Sequence, residues 1–276
     1  MNIGLLLPVK KKWWRPVSLK TYKVEVSDSL SFVVCLFPCN HIKDFFHLGN
    51  IKRSKARVDR IFEKHSAWPV LEHPELFGLY QNDLSFTQIV IRKIVVNRFY
   101  EVLKSLRGLG HLSNMEILIT GLPCYLEHAI EKLITKVKTI NILIPEGMEE
   151  PVEAERAFWE TGIPVHITND KDILKRNRVW LRFPRDHHSF DDLPQEYKGT
   201  IVDFEELKII DTRIEKIYNI NIEFSEVIRR KLGQKLLRTW KKGELEGFVI
   251  ATYACFYDIN EIEASIRLGT RITFAS

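Results

Sequence analysis

Three stretches of this chain carry residues of the types and spacing that chemistry requires. The first is the turn in "MEILITGLPCYLEHAIEKLI", where an apolar strand runs into a helix through Gly121, Leu122 and Pro123. A strand–turn–helix of this kind can hold a pyrophosphate on backbone amides at the helix N-terminus, provided that glycines let the backbone approach. Here there is one glycine. Pro123 removes a donor, Leu122 and Tyr125 place side chains where a phosphate would lie, and Glu127 in the first turn repels an anion. The turn is therefore compatible with a bare strand–helix connection as well as with a phosphate site. Glu146 opens the loop after the next strand, about 25 residues beyond Gly121. An acidic residue so placed can hold the two hydroxyls of a ribose and would favour NAD over NADP. A glutamate that merely opens a loop has the same appearance.

The second stretch, "RFPRDHHSFDD", gathers Arg182, Arg185, Asp186, His187, His188, Asp191 and Asp192 beside another strand. Adjacent histidines diverge on most backbones, so this is not a two-ligand metal motif; the readings are a hydrated polar loop or an anion- or metal-contacting lip over the switch point. The third is Cys255 in "IATYACFYDINEIE". A buried cysteine in an apolar helix acts as a small hydrophobe. A reactive one needs a nearby cation or a helix N-terminus to make thiolate available.

The elements that must position these residues follow from periodicity. Residues 1–82 mix short strands ("NIGLLLPV", "TYKVEV", "LSFVVCLF") with a basic amphipathic helix, "IKRSKARVDRIFEKHSAW", and read as a small α+β domain. Residues 83–112 read as one long connecting helix, capped by Asp83 or Ser85 and ended by Gly108 and Gly110. From 113 to 276 short β-rich segments ("MEILITG", "TINILIPE", "IPVHITN", "RVWLRFP", "GTIVDF") alternate with helices, and two further helices close the chain. That alternation predicts an α/β fold, a doubly wound parallel sheet covered on both faces. Its ligands are expected at the carboxyl ends of the strands, near the point where the strand order reverses.

Composition bounds the rest. The chain has 276 residues, 45% of them apolar and 28% charged, with a net charge of +5. This suits a globular protein of one large domain or two modest ones. The apolar runs are far shorter than the roughly 20 residues that span a bilayer, so no membrane span is expected. Four cysteines at irregular spacing suggest neither a disulfide framework nor a zinc site, which favours a cytoplasmic location. The basic, tryptophan-bearing "VKKKWWRP" could stack on bases or sit at a lipid headgroup surface, but the plainer reading is an exposed strand end with its tryptophans packed onto the body; no nucleic-acid motif accompanies it and no specific nucleic-acid partner is expected.

Several of these segments, in order, resemble the long-chain acyl-(acyl carrier protein) reductases, relatives of the shikimate dehydrogenase and glutamyl-tRNA reductase type of Rossmann NAD(P)-binding domain. "FVVCLFPCN" is similar to that family's early hydrophobic strand and "IKRSKARVDRIFEKH" to the helix after it. "NDLSFTQ" resembles its GNxxT helix through Asn82 and Thr87, and "TYACFYDINEIE" resembles its FACFAE segment. The resemblance implies a Rossmann-like domain and an NAD(P) cofactor, with Cys255 as the nucleophile that forms an acyl thioester and Asp258 where the family carries Glu. Of the family's glycine loop only Gly121 aligns.

Two functions are therefore expected from different classes. One is an NAD(P)-dependent reductase of an acyl thioester or related carbonyl, with Cys255 catalytic, Gly121, Leu122, Pro123 and Glu146 on the cofactor, and a small or carrier-bound substrate. The other is a degenerate, non-catalytic Rossmann-like module that binds a small ligand or a protein partner. A homodimer is left open as the assembly.

Overall fold

The computed structural model describes residues 1–10, 19–39, 48–76, 79–80, 82–106, 110–184, 199–204 and 215–275. The loop residues 185–192 and most of "VKKKWWRP" lie outside the described residues. By contacts the chain divides into two compact units. Met1–Ile91 and Ile222–Arg271 form the first, and Arg92–Asn221 with Ile272–Ser276 form the second.

The first unit begins with β1 (Asn2–Lys10), β2 (Lys20–Ser27), β3 (Leu30–Cys39), α1 (Leu48–Lys64) and β4 (Ala67–Glu72). The strands make one sheet in the order β2-β3-β1-β4, with β1 parallel to both β3 and β4 and β2 antiparallel to β3. Leu6, Val33, Cys35, Val58, Phe62 and Val70 pack into a core between this sheet and α1. Strand β4 departs from the sequence reading, which ran the helix on through Ala67 and Trp68; the chain turns at Ser66 with φ 48° and enters the sheet. Helix α2 (Ser85–Asn97) then leads into the second unit.

The single long helix expected over 83–112 is broken. α2 ends at Asn97, and α3 (Phe99–Ser105) starts afresh after Arg98, whose backbone leaves the helical region at φ −103°, ψ 17°. Asn97 Nδ2 donates to the Lys93 carbonyl at 2.8 Å, and Arg98 forks onto Glu101 through two bonds of 2.8 Å. The expected end at Gly108 lies outside the described residues.

The second unit continues through β5 (Glu116–Thr120), α4 (Pro123–Leu133), β6 (Thr139–Leu143), α5 (Val152–Thr161), β7 (Val165–Thr168), α6 (Ile173–Arg176), β8 (Val179–Arg182), β9 (Thr200–Asp203) and β10 (Glu215–Glu223). With a last strand, β11 (Arg271–Ala275), they form a seven-stranded sheet in the order β11-β10-β9-β8-β5-β6-β7. The pairs β5–β6, β6–β7, β5–β8, β8–β9 and β9–β10 are all parallel. The chain runs outward from β5 to β7 and then returns to lay β8 on the other side of β5. This reversal is the doubly wound order expected from the sequence, and right-handed crossovers then place connections on both faces. Ile117, Leu118 and Ile119 on β5 and Trp180 and Leu181 on β8 are all fully buried, as in a sheet covered on both sides.

Between β10 and β11 the chain builds α7 (Glu226–Leu232), α8 (Gln234–Leu237), α9 (Glu244–Tyr257) and α10 (Glu261–Arg267), which belong to the first unit. Where two helices were expected there are four, because Gly233 (φ 78°) and Asp258 (φ 52°) take positive φ and end the elements before them. Lys231 Nζ donates to the Val26 carbonyl, Trp240 Nε1 to the Glu72 carbonyl and the Tyr257 hydroxyl to the Ser29 carbonyl, at 2.9, 3.2 and 3.0 Å.

Candidate functional site

The switch point lies between β5 and β8, so the turn after β5 and the residues after β8 define where a ligand of this fold would sit. In this chain they touch each other. A Cβ added to Gly121 would stand 2.6 Å from Cβ of Phe183 and 3.4 Å from the Pro184 carbonyl oxygen. The glycine is thus required by the close approach of Phe183, whether or not a ligand is present. Leu122 N–H donates to the Pro184 carbonyl at 3.0 Å, and Phe183 N–H donates to the Thr120 carbonyl at 2.8 Å.

Above this seam stands an aromatic stack. The rings of Phe183 and Phe204 lie parallel at 5.1 Å, Tyr125 stacks on Phe183 at 6.3 Å, and Phe99 meets Phe183 edge-on at 5.3 Å. Phe99 and Phe183 are fully buried and Phe204 nearly so. Such geometry is favourable packing for aromatic rings and fills the space with hydrocarbon. None of this was visible in the sequence, since Phe99, Tyr125, Phe183 and Phe204 are separated by whole elements.

A pyrophosphate needs free amides at this turn, and the turn has few. Leu122 N–H is engaged across the seam, Pro123 has none, and the Tyr125 and Leu126 N–H groups already donate to the Leu122 carbonyl at 3.0 and 3.1 Å. The electrostatics point the same way. Burial raises the Glu127 carboxyl above its ordinary range, and the Glu153 carboxylate adds to the rise by repulsion and by a shared hydrogen bond. Glu127 lies one turn into α4, whose first turn holds no acid, and Glu153 lies in the first turn of α5; the two negative groups together disfavour a phosphate nearby. Glu146 lies three residues beyond the end of β6, exposed in a turn that Met148 N–H closes onto the Pro145 carbonyl at 3.2 Å, with Gly147 at φ 82°. The residues present do not fit a dinucleotide pyrophosphate at this turn.

Beneath the seam the carboxyl ends of β8 and β9 bury charge. Arg182 and Asp203 are register partners, 1% and 0% exposed, and Lys216 of β10 pairs with Asp203 at 2.9 Å. The Arg182 guanidinium lies over the Trp180 ring at 5.1 Å, and Trp180 Nε1 donates to Thr120 Oγ1 at 3.0 Å. Sequence reading counted Arg182 both in the strand "RVWLRFP" and in the polar stretch that follows; it is the last residue of a buried strand.

Cys255 lies in the last turn of α9, exposed, and not at a helix N-terminus. Tyr253 and Tyr257 beside it are tilted together at 4.5 Å. The residues that carried the GNxxT resemblance have structural partners. Asn82 accepts from Glu72 N–H and donates to the Val70 carbonyl, both at 2.9 Å, and Thr87 Oγ1 donates to the Leu84 carbonyl at 2.6 Å. Among the described residues no cluster of three His, Cys, Asp or Glu side chains could hold a metal ion, and no helix is long and apolar enough to cross a membrane.

No family model matches the chain, and no curated protein matches it. Among solved structures it is similar to a shikimate dehydrogenase in complex with NADP+, at 11% identity and TM-score 0.33, covering 96% of this chain and 94% of that one. It is similar also to shikimate dehydrogenase from Aquifex aeolicus, at 12% identity and TM-score 0.30, covering 96% and 97%. L-tryptophan dehydrogenase from Nostoc punctiforme follows at 10% identity and TM-score 0.28, covering 86% and 73%. The likeness to these dehydrogenases is remote, and the doubly wound fold rests on the strand order itself.

Proposed function

We propose that this chain is a non-catalytic Rossmann-like binding module that does not use the turn after β5 for pyrophosphate. The observation that supports this reading is the seam at the switch point: Gly121 is packed against Phe183, and the amide a phosphate would need is bonded to the Pro184 carbonyl. Hydrogen exchange tests it locally. With millimolar NADH or NADPH, the amides of residues 121–126 are expected to exchange as in the free protein. Protection of that segment would overturn the reading.

A second reading, an acyl-thioester-reducing oxidoreductase, is favoured by one observation, the solvent exposure of Cys255. In it the Cys255 sulfur attacks the thioester carbonyl and the substrate's thiol leaves, so the acyl group ends on the protein. Mass spectrometry of protein incubated with an acyl thioester distinguishes the readings. The binding-module reading expects no acyl adduct at Cys255, whereas a stoichiometric one would favour the enzyme.

A further inference from the structure

A cavity of about 430 Å³ opens at the amino ends of β5 and β8, the end of the sheet opposite the aromatic seam. One wall is the segment from Gly110 to Glu116, and the other is Arg176 and Arg178. Its volume falls in the range, roughly 300–1,000 Å³, of small-molecule sites.

Both walls are fixed by the core. Between the two arginines, Asn177 is 4% exposed and extended, at φ −98°, ψ 138°. Its Nδ2 donates to the Ile173 carbonyl and its Oδ1 accepts from Asn141 Nδ2, both at 2.8 Å. Asn177 turns into the core just past the end of α6, and Arg176 and Arg178 on either side of it are both exposed at the cavity. The Arg178 carbonyl accepts from Thr200 N–H at 2.8 Å, which ties the backbone to β9. Across the cavity, the carbonyl of Met115 accepts from Lys138 N–H at 2.9 Å, and Leu112–Asn114 form a helical turn closed by Asn114 N–H on the His111 carbonyl.

The charge is one-sided. Glu116 is the acid of the lining, and Lys138 pairs with it at 2.9 Å. On the arginine side, Asp172 is held at 2.8 Å by Lys175 and feels Arg176 more weakly. Among the described residues no ion pair engages Arg176 or Arg178. Two guanidinium groups on alternate residues line the cavity together with His111, and a guanidinium offers forked donors of the kind that phosphate oxygens accept.

We infer that this cavity binds a small organic phosphate of about mononucleotide size, with Arg176 and Arg178 holding the phosphate. The inference deepens the binding-module reading and rests on it. It is tested on the full chain by calorimetry with AMP, inorganic phosphate and NADH as probes, against R176Q, R178Q and the double variant. AMP is expected to bind the wild type, to weaken at least tenfold in each single variant and to be lost in the double variant, with thermal unfolding unchanged because both side chains are exposed. Affinity should also fall as salt is raised. Heat from AMP that survives in the double variant, or no heat from AMP at millimolar concentration, overturns the inference. NADH binding that persists in the double variant with protection of residues 121–126 overturns instead the binding-module reading, so the two failures are distinguishable.

Discussion

Gly121 illustrates how one residue type answers to two physical demands. In the sequence a glycine between an apolar strand and a helix suggested backbone access for a ligand. In the fold the same absence of a side chain admits Phe183. The sequence could show the glycine but not its neighbour, because Phe183 is brought there by the return of β8 to the centre of the sheet. Gly121→Ala is therefore expected to destabilise the protein by about 2 kcal/mol, as overpacking of a tight core does, and calorimetric unfolding should show a midpoint lower by several degrees with no dependence on nucleotide. Glu246, in the first turn of α9, was equally silent in sequence. Burial pushes its carboxyl up to about 7, the Glu223 carboxylate pushes the same way, and Arg229 opposes them. Its ordinary value is near 4.5, so the folded state holds this proton more tightly than the unfolded one. The stabilisation is complete below the ordinary value and is lost as pH rises through about 7. His73 has the opposite sense, its pKa lowered by burial, so the informative quantity is a difference. The urea midpoint of Glu246→Gln relative to wild type should rise between pH 4.5 and 8, and a constant difference would remove the assignment.

At the scale of elements, what was legible depended on whether apolar residues formed a continuous run. β5, β6, β8 and β9 are central strands with both faces buried, and such strands are visible as short, mostly apolar runs. β10 was missed because its alternation slips: Tyr218 and Asn219 are both exposed, and Asn219 takes φ 51° in the middle of the strand. β4 was missed because Pro69 and the preceding helix masked a strand of six residues. The C-terminal helices were found as helical sequence but not as four pieces, since their ends are set by Gly233 and Asp258 rather than by loss of periodicity. One boundary does carry a readable signal. Asn260 Oδ1 accepts from Glu263 N–H at 2.8 Å and caps α10, whose Ala264 and Ser265 are fully buried. Replacing Asn260 by Ala is expected to cost about 1 kcal/mol, measured as a shift of the urea midpoint. Asp at the same position should restore most of it.

For the whole molecule, the sequence reading drew boundaries at 82 and 112 and assigned everything after 113 to one domain. The compact units divide the chain otherwise, and the first is discontinuous: Met1–Ile91 closes with Ile222–Arg271. Periodicity identifies elements but says nothing of which distant element covers them, so Tyr253 near Ser29 or Trp240 near Glu72 had no signature in one dimension. A chain ending at Glu223 should thus lose far more from the first unit than from the second. The first unit would expose the surfaces that α7 to α10 cover, while the second would lack only β11 at the edge of its sheet. Limited proteolysis of that truncated chain is expected to cut within the described strands and helix of residues 1–91 well before residues 113–184, and equal resistance of both would contradict the division. The discontinuity also sets an order on synthesis. A ribosome adding roughly 5–20 residues per second must deliver the 130 residues from Arg92 to Asn221 before the helices that complete the first unit emerge. For a time on the order of ten seconds the N-terminal sheet waits half-covered, while the second unit can already close around β5, and the nascent chain is most in need of a chaperone at its oldest end.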